Sequence, residues 1–315
     1  IRRSLGYKLK VEGRLLGQFV AFCDIRGLDH VTVTAAVEWA TSPARADASW
    51  WAARLTVVRQ FARFQAAFDA RTETPPTGLL PRTADRCLPY LYSPAQIIAM
   101  LRAARMLANP LRAATAEAFI GLLAATGIRT GEAMGLDRGD VNLAGNLAGN
   151  LAGPALLIRD TKFGKSRLVP LHSSTAEHLA AYQVRRDELW PHPSTAAFFI
   201  SGCGTRLNHT SVSKAFARVL KTAAITPAIT PAITPAITAL AGTGKPRLYD
   251  LRHTFAVTTM ANWYAAGADV AHLLPALSTY LGHVSPATTY WYLHACPQLM
   301  TEAAKRLEAS WKEPS

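Results

Sequence analysis

Apolar residues across positions 1–71 recur at helical spacing. Leu15, Leu16, Phe19, Val20 and Cys23 share one face of a first helix, and Gly27 is a plausible stop. Residues 34–39 predict a short second helix. Trp51, Leu55, Val58, Ala62 and Gln65 trace one stripe of a third, flanked by Phe61, Phe64 and Phe68. Arg59 and Arg63 lie four apart on one face of that helix, which reads either as a pair of phosphate contacts to DNA or as a solvated basic face. The pattern then breaks. Positions 72–81 hold three prolines and a glycine, so helix cannot persist, and a linker is expected at 72–90. Ser93 followed by Pro94 looks like an N-cap with proline at N1, opening a helix through Leu107. Further on, residues 155–160 and 166–171 are short β-like runs joined by a hairpin tip at 161–165. The expected class is therefore mainly α with a small antiparallel β-sheet: a helical domain at 1–71, a linker at 72–90 and a second domain at 91–315.

Two short-period repeats interrupt the second domain. Asn142-Leu-Ala-Gly occurs three times, ending at Gly153, and Ala224-Ile-Thr-Pro occurs three times with a partial fourth copy ending at Thr238. A four-residue period is too short for a solenoid unit. Proline at every fourth position forbids helix in the second tract. Both read as expansions inside exposed loops, where added length costs little closure entropy.

Composition narrows the function. The chain has 315 residues, enough for two domains at roughly 150 residues each. Half the residues are hydrophobic and 17% are charged, which excludes a disordered chain. The most apolar stretch, residues 114–128, is broken by Glu117, so no membrane span is expected. Lys and Arg number 34 against 21 Asp and Glu, a surplus of 13 positive charges, and the pI is near 9.9. That balance points to a polyanionic partner, most simply nucleic acid. Cys23, Cys87, Cys203 and Cys296 show no paired spacing, which argues against zinc or a disulfide framework and suits a reducing cytosol. The chain opens at Ile1 without an apolar leader, and the missing initiator Met places the expected natural start upstream.

No nucleotide-binding loop and no metal-ligating motif is present, so neither cofactor nor metal is expected. The chemistry instead gathers in three strings. Ala125-Thr-Gly-Ile-Arg129-Thr-Gly-Glu132 puts a glycine turn before Arg129, predicted to lie in the first turn of a new helix, where a guanidinium is well placed to grip a phosphate oxygen. Glu132, three residues on, either orients that guanidinium or forms an ordinary surface ion pair. Leu248-Tyr249-Asp250-Leu251-Arg252-His253 puts Tyr249 and Arg252 on one helical face. Leu281-Gly282-His283 is followed nine residues later by Tyr292.

In this order, and with a Lys-bearing hairpin ending in Arg167-Leu-Val-Pro-Leu171, the strings resemble the tyrosine recombinase (phage integrase) family over residues 92–296. The N-terminal domain is similar to the family's helical core-binding domain in size and character only. The resemblance implies a catalytic domain of the DNA breaking-rejoining type, with Arg129 and Arg252 as its two catalytic arginines. It implies that Lys162 protonates the leaving 5′ oxygen, with Lys165 as rival and DNA contact. His283 would hydrogen-bond the scissile phosphate and Tyr292 would be the nucleophile. Tyr249 stands where the family most often has histidine. A phenol donates a hydrogen bond to phosphate but, with a pKa of about 10, is a poor base. His253 is expected to be structural. Tyr290 lies two residues from Tyr292, about 200° around a helix, and it and Tyr280 are expected in the core.

The expected activity is site-specific recombination or integration of a mobile element on double-stranded DNA through a 3′-phosphotyrosyl intermediate. By resemblance it would act as a tetramer on DNA, in the cytoplasm with the nucleoid. Met300, Ala303, Ala304, Leu307 and Trp311 form an apolar helical stripe, so a helix at 300–311 is expected to dock on a neighbouring protomer or on its own domain. The alternatives are a type IB topoisomerase-like enzyme and a DNA-binding protein whose catalysis has decayed.

Overall fold

The computed structural model describes residue 4 and residues 9–81, 89–144, 153–159, 166–225, 245–283, 285 and 289. The predicted hairpin tip, most of both repeats, Lys162, Lys165, Tyr290, Tyr292 and the 300–311 segment lie outside the described residues. The chain divides into two compact units, Ile1–Arg86 and Cys87–Ser315.

The first unit packs α1 (Lys10–Ile25), α2 (Val33–Thr41) and α3 (Ala48–Gln65) around Leu15, Phe19, Trp39, Leu55 and Val58. Short polar side chains start the later helices: the Thr32 hydroxyl accepts the Ala35 N–H, and the Asp47 carboxylate accepts that of Trp50 at 2.8 Å. The predicted α3 stripe is buried at Leu55, Val58 and Ala62, whereas Phe64 and Phe68 stand exposed as a ring pair 5.1 Å apart. Arg54 is buried, with its guanidinium 3.8 Å over the Trp39 ring and Nη2 donating to the Trp39 carbonyl at 2.5 Å. The start of the proline-rich stretch is fastened to this unit. Glu73 pairs with the backbone of Val31 and Val33, and Arg59 donates to the carbonyls of Pro75 (2.7 Å) and Pro76 (3.0 Å). At the other end of the expected linker span, Tyr90 is buried in the core of the second unit.

In the second unit, Ser93 caps α4 (Pro94–Arg105) with Pro94 in its first turn, as expected; Gln96 completes a capping box, and the helix ends at Arg105, two residues short of the expected Leu107. The apolar stretch that opens after Asn109 and Pro110 becomes α5 (Pro110–Thr126), buried on nearly every side, as a helix apolar all round must be. It packs against α4 and against α7 (Ser173–Leu189), and α8 (His209–Thr222) closes the same core. After α6 (Thr130–Gly135) come three short strands, β1 (Val141–Asn142), β2 (Ala155–Ile158) and β3 (Arg167–Pro170). They form an antiparallel sheet in that order, with Leu156 opposite Val141 on one side and Val169 on the other. Pro170 lies on the edge strand, where its missing N–H is tolerated. The chain then adds α9 (Asp250–Ala265) and α10 (Val270–Leu281), packed through Val257, Met260, Leu274 and Leu277. The start of α9 is tied to the core: the Tyr92 hydroxyl donates to the Arg247 carbonyl and the Tyr92 N–H to the Thr254 hydroxyl. The mainly helical class with one small antiparallel sheet is as expected. β1, at two residues, is too short for periodicity to show.

Candidate active site

The end of α10 gathers the candidate residues, and backbone accounting shows how. The last carbonyls of a helix lack intrahelical partners. Here Gly282 turns left-handed (φ 69°), its N–H bonds Thr279, and the His283 N–H bonds Ser278, each at 2.9 Å. This Schellman closure satisfies two carbonyls and leaves the next three pointing out. Each of those accepts a guanidinium N–H. Arg167 Nε donates to Tyr280 at 2.9 Å, Arg252 Nη2 to Leu281 at 2.7 Å, and Arg129 Nη2 to Gly282 at 2.7 Å. The negative end of the helix dipole favours cations there. Arg252, almost wholly buried, also donates through Nη1 to the carbonyl of Gly127 at 2.8 Å, at the end of α5. Gly127 is itself left-handed (φ 61°), and a Cβ there would stand 2.6 Å from Phe255.

Arg129 sits one position earlier than expected, as the N-cap of α6 rather than inside its first turn. Glu132 reaches back to it: Oε2 accepts the Arg129 N–H at 2.9 Å and Oε1 accepts Nη1 at 2.8 Å. Glu132 is only 10% exposed, so this is no ordinary surface pair, and it takes a second guanidinium as well. Arg167 straddles both carboxylate oxygens, at 3.0 and 2.9 Å. Burial alone would raise the Glu132 carboxyl, but the hydrogen bonds from Arg167 and the Arg129 backbone, with both positive charges, hold it below the usual carboxylate range.

His283 lies beside this cluster, with Nδ1 2.7 Å from the hydroxyl of the buried Thr289. Burial first, then the charges of Arg252, Arg129 and Arg167 and the neighbouring His253, push its imidazole down to about 4. It is therefore neutral at physiological pH. Tyr249 precedes α9 and is 43% exposed, with its ring edge-on to the buried His253 at 5.0 Å. Tyr249 and Arg252 thus share a turn but not an environment. Tyr280 stacks on Phe255 at 5.7 Å, and burial pushes its phenol up to about 12, so it belongs to the core. Of the α3 arginines in the first unit, Arg59 is engaged with proline carbonyls and Arg63 is exposed.

Arg167, Gly282 and Thr289 were not among the site residues read from sequence. Arg167 carries a signal: along β3 it alternates with buried Val169, while Leu168 faces out. A charged residue on the inner face of a strand requires a partner. Elsewhere in the unit a cavity of about 400 Å³ is lined by Arg112, Phe119, Val212, Phe216 and Arg218 among others, and no candidate site residue lines it. Among the described residues, no group of His, Cys, Asp or Glu is placed to hold a metal, and no helix is long and apolar enough to cross a membrane.

Comparison with known proteins gives consistent matches. The integrase/recombinase y4rB of Sinorhizobium fredii is 41% identical over 319 residues, covering 99% of this chain and 95% of that one. The tyrosine recombinase XerD of Mycobacterium tuberculosis is 31% identical over 261 residues, covering 80% of this chain and 73% of that one. The fold is similar to the Tn1549 transposon integrase in complex with transposon right end DNA (TM-score 0.60, 17% identity, 96% and 94% coverage). It is also similar to XerH site-specific recombinase bound to a palindromic difH substrate (TM-score 0.59, 19% identity, 89% and 74% coverage). The model of the phage integrase family matches residues 93–298, the span that holds every element of the cluster at the end of α10, and the chain belongs to that family, the tyrosine-type site-specific recombinases.

Proposed function

We propose that the protein recombines double-stranded DNA at specific sites, cleaving and rejoining one strand at a time through a 3′-phosphotyrosyl bond on Tyr292. The observation that carries this reading is the convergence of Arg129, Arg167 and Arg252 on three consecutive carbonyls, with neutral His283 next in the chain and Tyr292 nine residues beyond it. Three cations and one carboxylate leave a surplus of two positive charges, matched to the dianionic five-coordinate phosphorus that forms when a tyrosine oxygen attacks a phosphodiester. Arg129 and Arg252 supply donors to the equatorial oxygens. His283 Nδ1 lies 2.7 Å from the Thr289 hydroxyl; in the tautomer in which Nδ1 accepts from that hydroxyl, Nε2 carries the proton and donates a hydrogen bond to the phosphate. Lys162, or Lys165, protonates the departing 5′ oxygen. The new phosphodiester to tyrosine keeps the bond energy, so the free 5′-hydroxyl of a partner strand rejoins by reversing the step.

The family and the named integrase relatives support integration or excision of a mobile element as the setting, in the cytoplasm at the nucleoid. Two sites are recombined by a tetramer in which the 300–311 segment docks on the neighbouring protomer. The test is to sequence DNA recovered covalently with the protein, build a nicked suicide duplex on that site, and trap adduct. Wild-type protein and Tyr290→Phe form adduct. Tyr292→Phe forms none while binding DNA nearly as well, because affinity rests on phosphate contacts spread along the duplex. Adduct from Tyr292→Phe refutes the assignment, and absence of adduct from wild type leaves a DNA-binding protein. Supercoil relaxation without two-site recombination indicates the topoisomerase-like alternative.

A further inference from the structure

We infer that Arg167 is a positioning residue for strand cleavage, acting through Glu132 to fix the guanidinium of Arg129. The inference rests on the cleavage reading above and adds a residue to it. Glu132 accepts four hydrogen bonds, and each oxygen takes one from each arginine. Oε1 takes Arg129 Nη1 and Arg167 Nη1; Oε2 takes the Arg129 backbone N–H and Arg167 Nη2. A carboxylate offers about four lone-pair sites, so this one is saturated. Its charge is divided between two guanidiniums instead of neutralising one.

Without Arg167, half of a buried carboxylate's acceptor capacity would be open beside Arg129. Arg129, the other donor already bonded to this carboxylate, has further N–H groups that could fill it. A second bond from that guanidinium to Glu132 would turn it away from Gly282 and from the phosphate, and would cancel charge where the reaction develops it. Arg167 prevents this and adds a second constraint, because its Nε holds the Tyr280 carbonyl two residues before the one that receives Arg129. The side chain, 12% exposed, passes directly over Gly282, where a Cβ would come within 2.6 Å of Nη1. β3, α6 and the end of α10 are thereby locked together by one guanidinium, and β3 is the strand that leaves the Lys-bearing segment 161–165.

The test uses the full chain and the nicked suicide duplex, with two readouts: the single-turnover rate of adduct formation at saturating protein, and the dissociation constant for the uncut duplex. Arg167→Met is expected to slow adduct formation by about 10- to 100-fold, less than the roughly 100- to 1,000-fold of losing a transition-state donor outright because Arg129 is displaced and not removed, while binding changes less than about threefold. Arg167→Lys, which keeps the charge but cannot span both oxygens and the Tyr280 carbonyl, is expected to fall between Met and wild type. Glu132→Gln combined with Arg167→Met is expected to be no slower than the slower single variant, since both act through one link. A wild-type adduct rate in Arg167→Met, fully additive losses in the double variant, or equal losses in rate and binding would each overturn the inference. If Arg167→Met does not melt cooperatively, Arg167→Lys decides: a rate equal to wild type refutes it, and a slower rate with unchanged binding supports it. If wild-type protein itself forms no adduct, the cleavage reading fails and this role fails with it. If wild type forms adduct and the Arg167 variants match it, only this role fails.

Discussion

Gly282→Ala and Gly267→Ala form a matched pair that isolates the contact at the end of α10. Both glycines are left-handed, at φ 69° and 74°, so each alanine incurs the same backbone strain of about 1–2 kcal/mol. At Gly267 a Cβ meets nothing within 4 Å. That variant should lose only the strain, lowering Tm by about 2–4 °C per kcal/mol for a domain of this size. At Gly282 the Cβ falls 2.6 Å from Arg167 Nη1 and 2.7 Å from its Cζ, so the guanidinium must withdraw. Glu132 keeps Arg129 but loses one of its two bonds from Arg167, which adds about 1.5–3 kcal/mol, the worth of a hydrogen bond to a charged group. The carbonyl that receives Arg129 also belongs to Gly282. Adduct formation in Gly282→Ala should therefore fall by about 10- to 100-fold, and in Gly267→Ala should not fall at all. Differential scanning calorimetry and the suicide-substrate assay measure the two effects. Equal melting losses in the two variants, with cleavage intact in both, would refute the packing of Arg167 over Gly282.

Three further outcomes follow from the site. Tyr249→Phe should slow cleavage by about 10- to 1,000-fold if the exposed phenol donates to phosphate, with Tyr249→His restoring activity; equal rates for Phe and Tyr would make the residue mere packing. The His283 imidazole takes up a proton below about pH 6.5 in the unfolded chain but only below about 4 in the folded one. In that window the unfolded state binds more protons, so stability falls as pH drops from 6.5 to 4, and His283→Gln should flatten part of that fall in urea melts at pH 7 and 4.5. Truncation after Ala295 should leave single-site binding intact and abolish cooperative binding of two protomers in mobility shifts. Cooperative assembly by the truncated chain would place the 300–311 segment on its own domain.

What was legible in the sequence was what side chains encode locally. The stripe of Leu55, Val58 and Ala62 was readable from its spacing, and so were Ser93 and Pro94 as a helix start. Arg129, Arg252 and His283 were legible as candidates because each sits in a short string of the family's pattern, although Arg129 proves to be the N-cap of α6 and not a residue of its first turn. Arg167 was passed over because its partners are distant in sequence: Glu132 lies 35 residues away and the Tyr280 carbonyl 113. The acceptors at 280–282 were invisible for a different reason, since a carbonyl is the same in every residue and only the Schellman turn exposes these three. Arg59 reads as a phosphate contact or a solvated basic residue, and neither reading includes the carbonyls of Pro75 and Pro76, which lie 16 and 17 residues away. Arg54 gave no sign of burial, because its partner is the face and carbonyl of Trp39, on another helix.

Three cations held by three successive peptide groups share one mechanical fate. Side-chain substitution along α10 cannot delete these acceptors; it can only move them. Hydrogen bonds weaken steeply as distance and angle depart from their optimum, so a displacement of the chain at residues 280–282 by about an ångström would loosen all three guanidiniums together. Glu132 would still tie Arg129 to Arg167, and the Gly127 carbonyl would still hold Arg252, so the three would be loosened on one side and kept on the other. A substitution that shifts this one turn of backbone is therefore read at three side chains from three different elements, α6, β3 and α9.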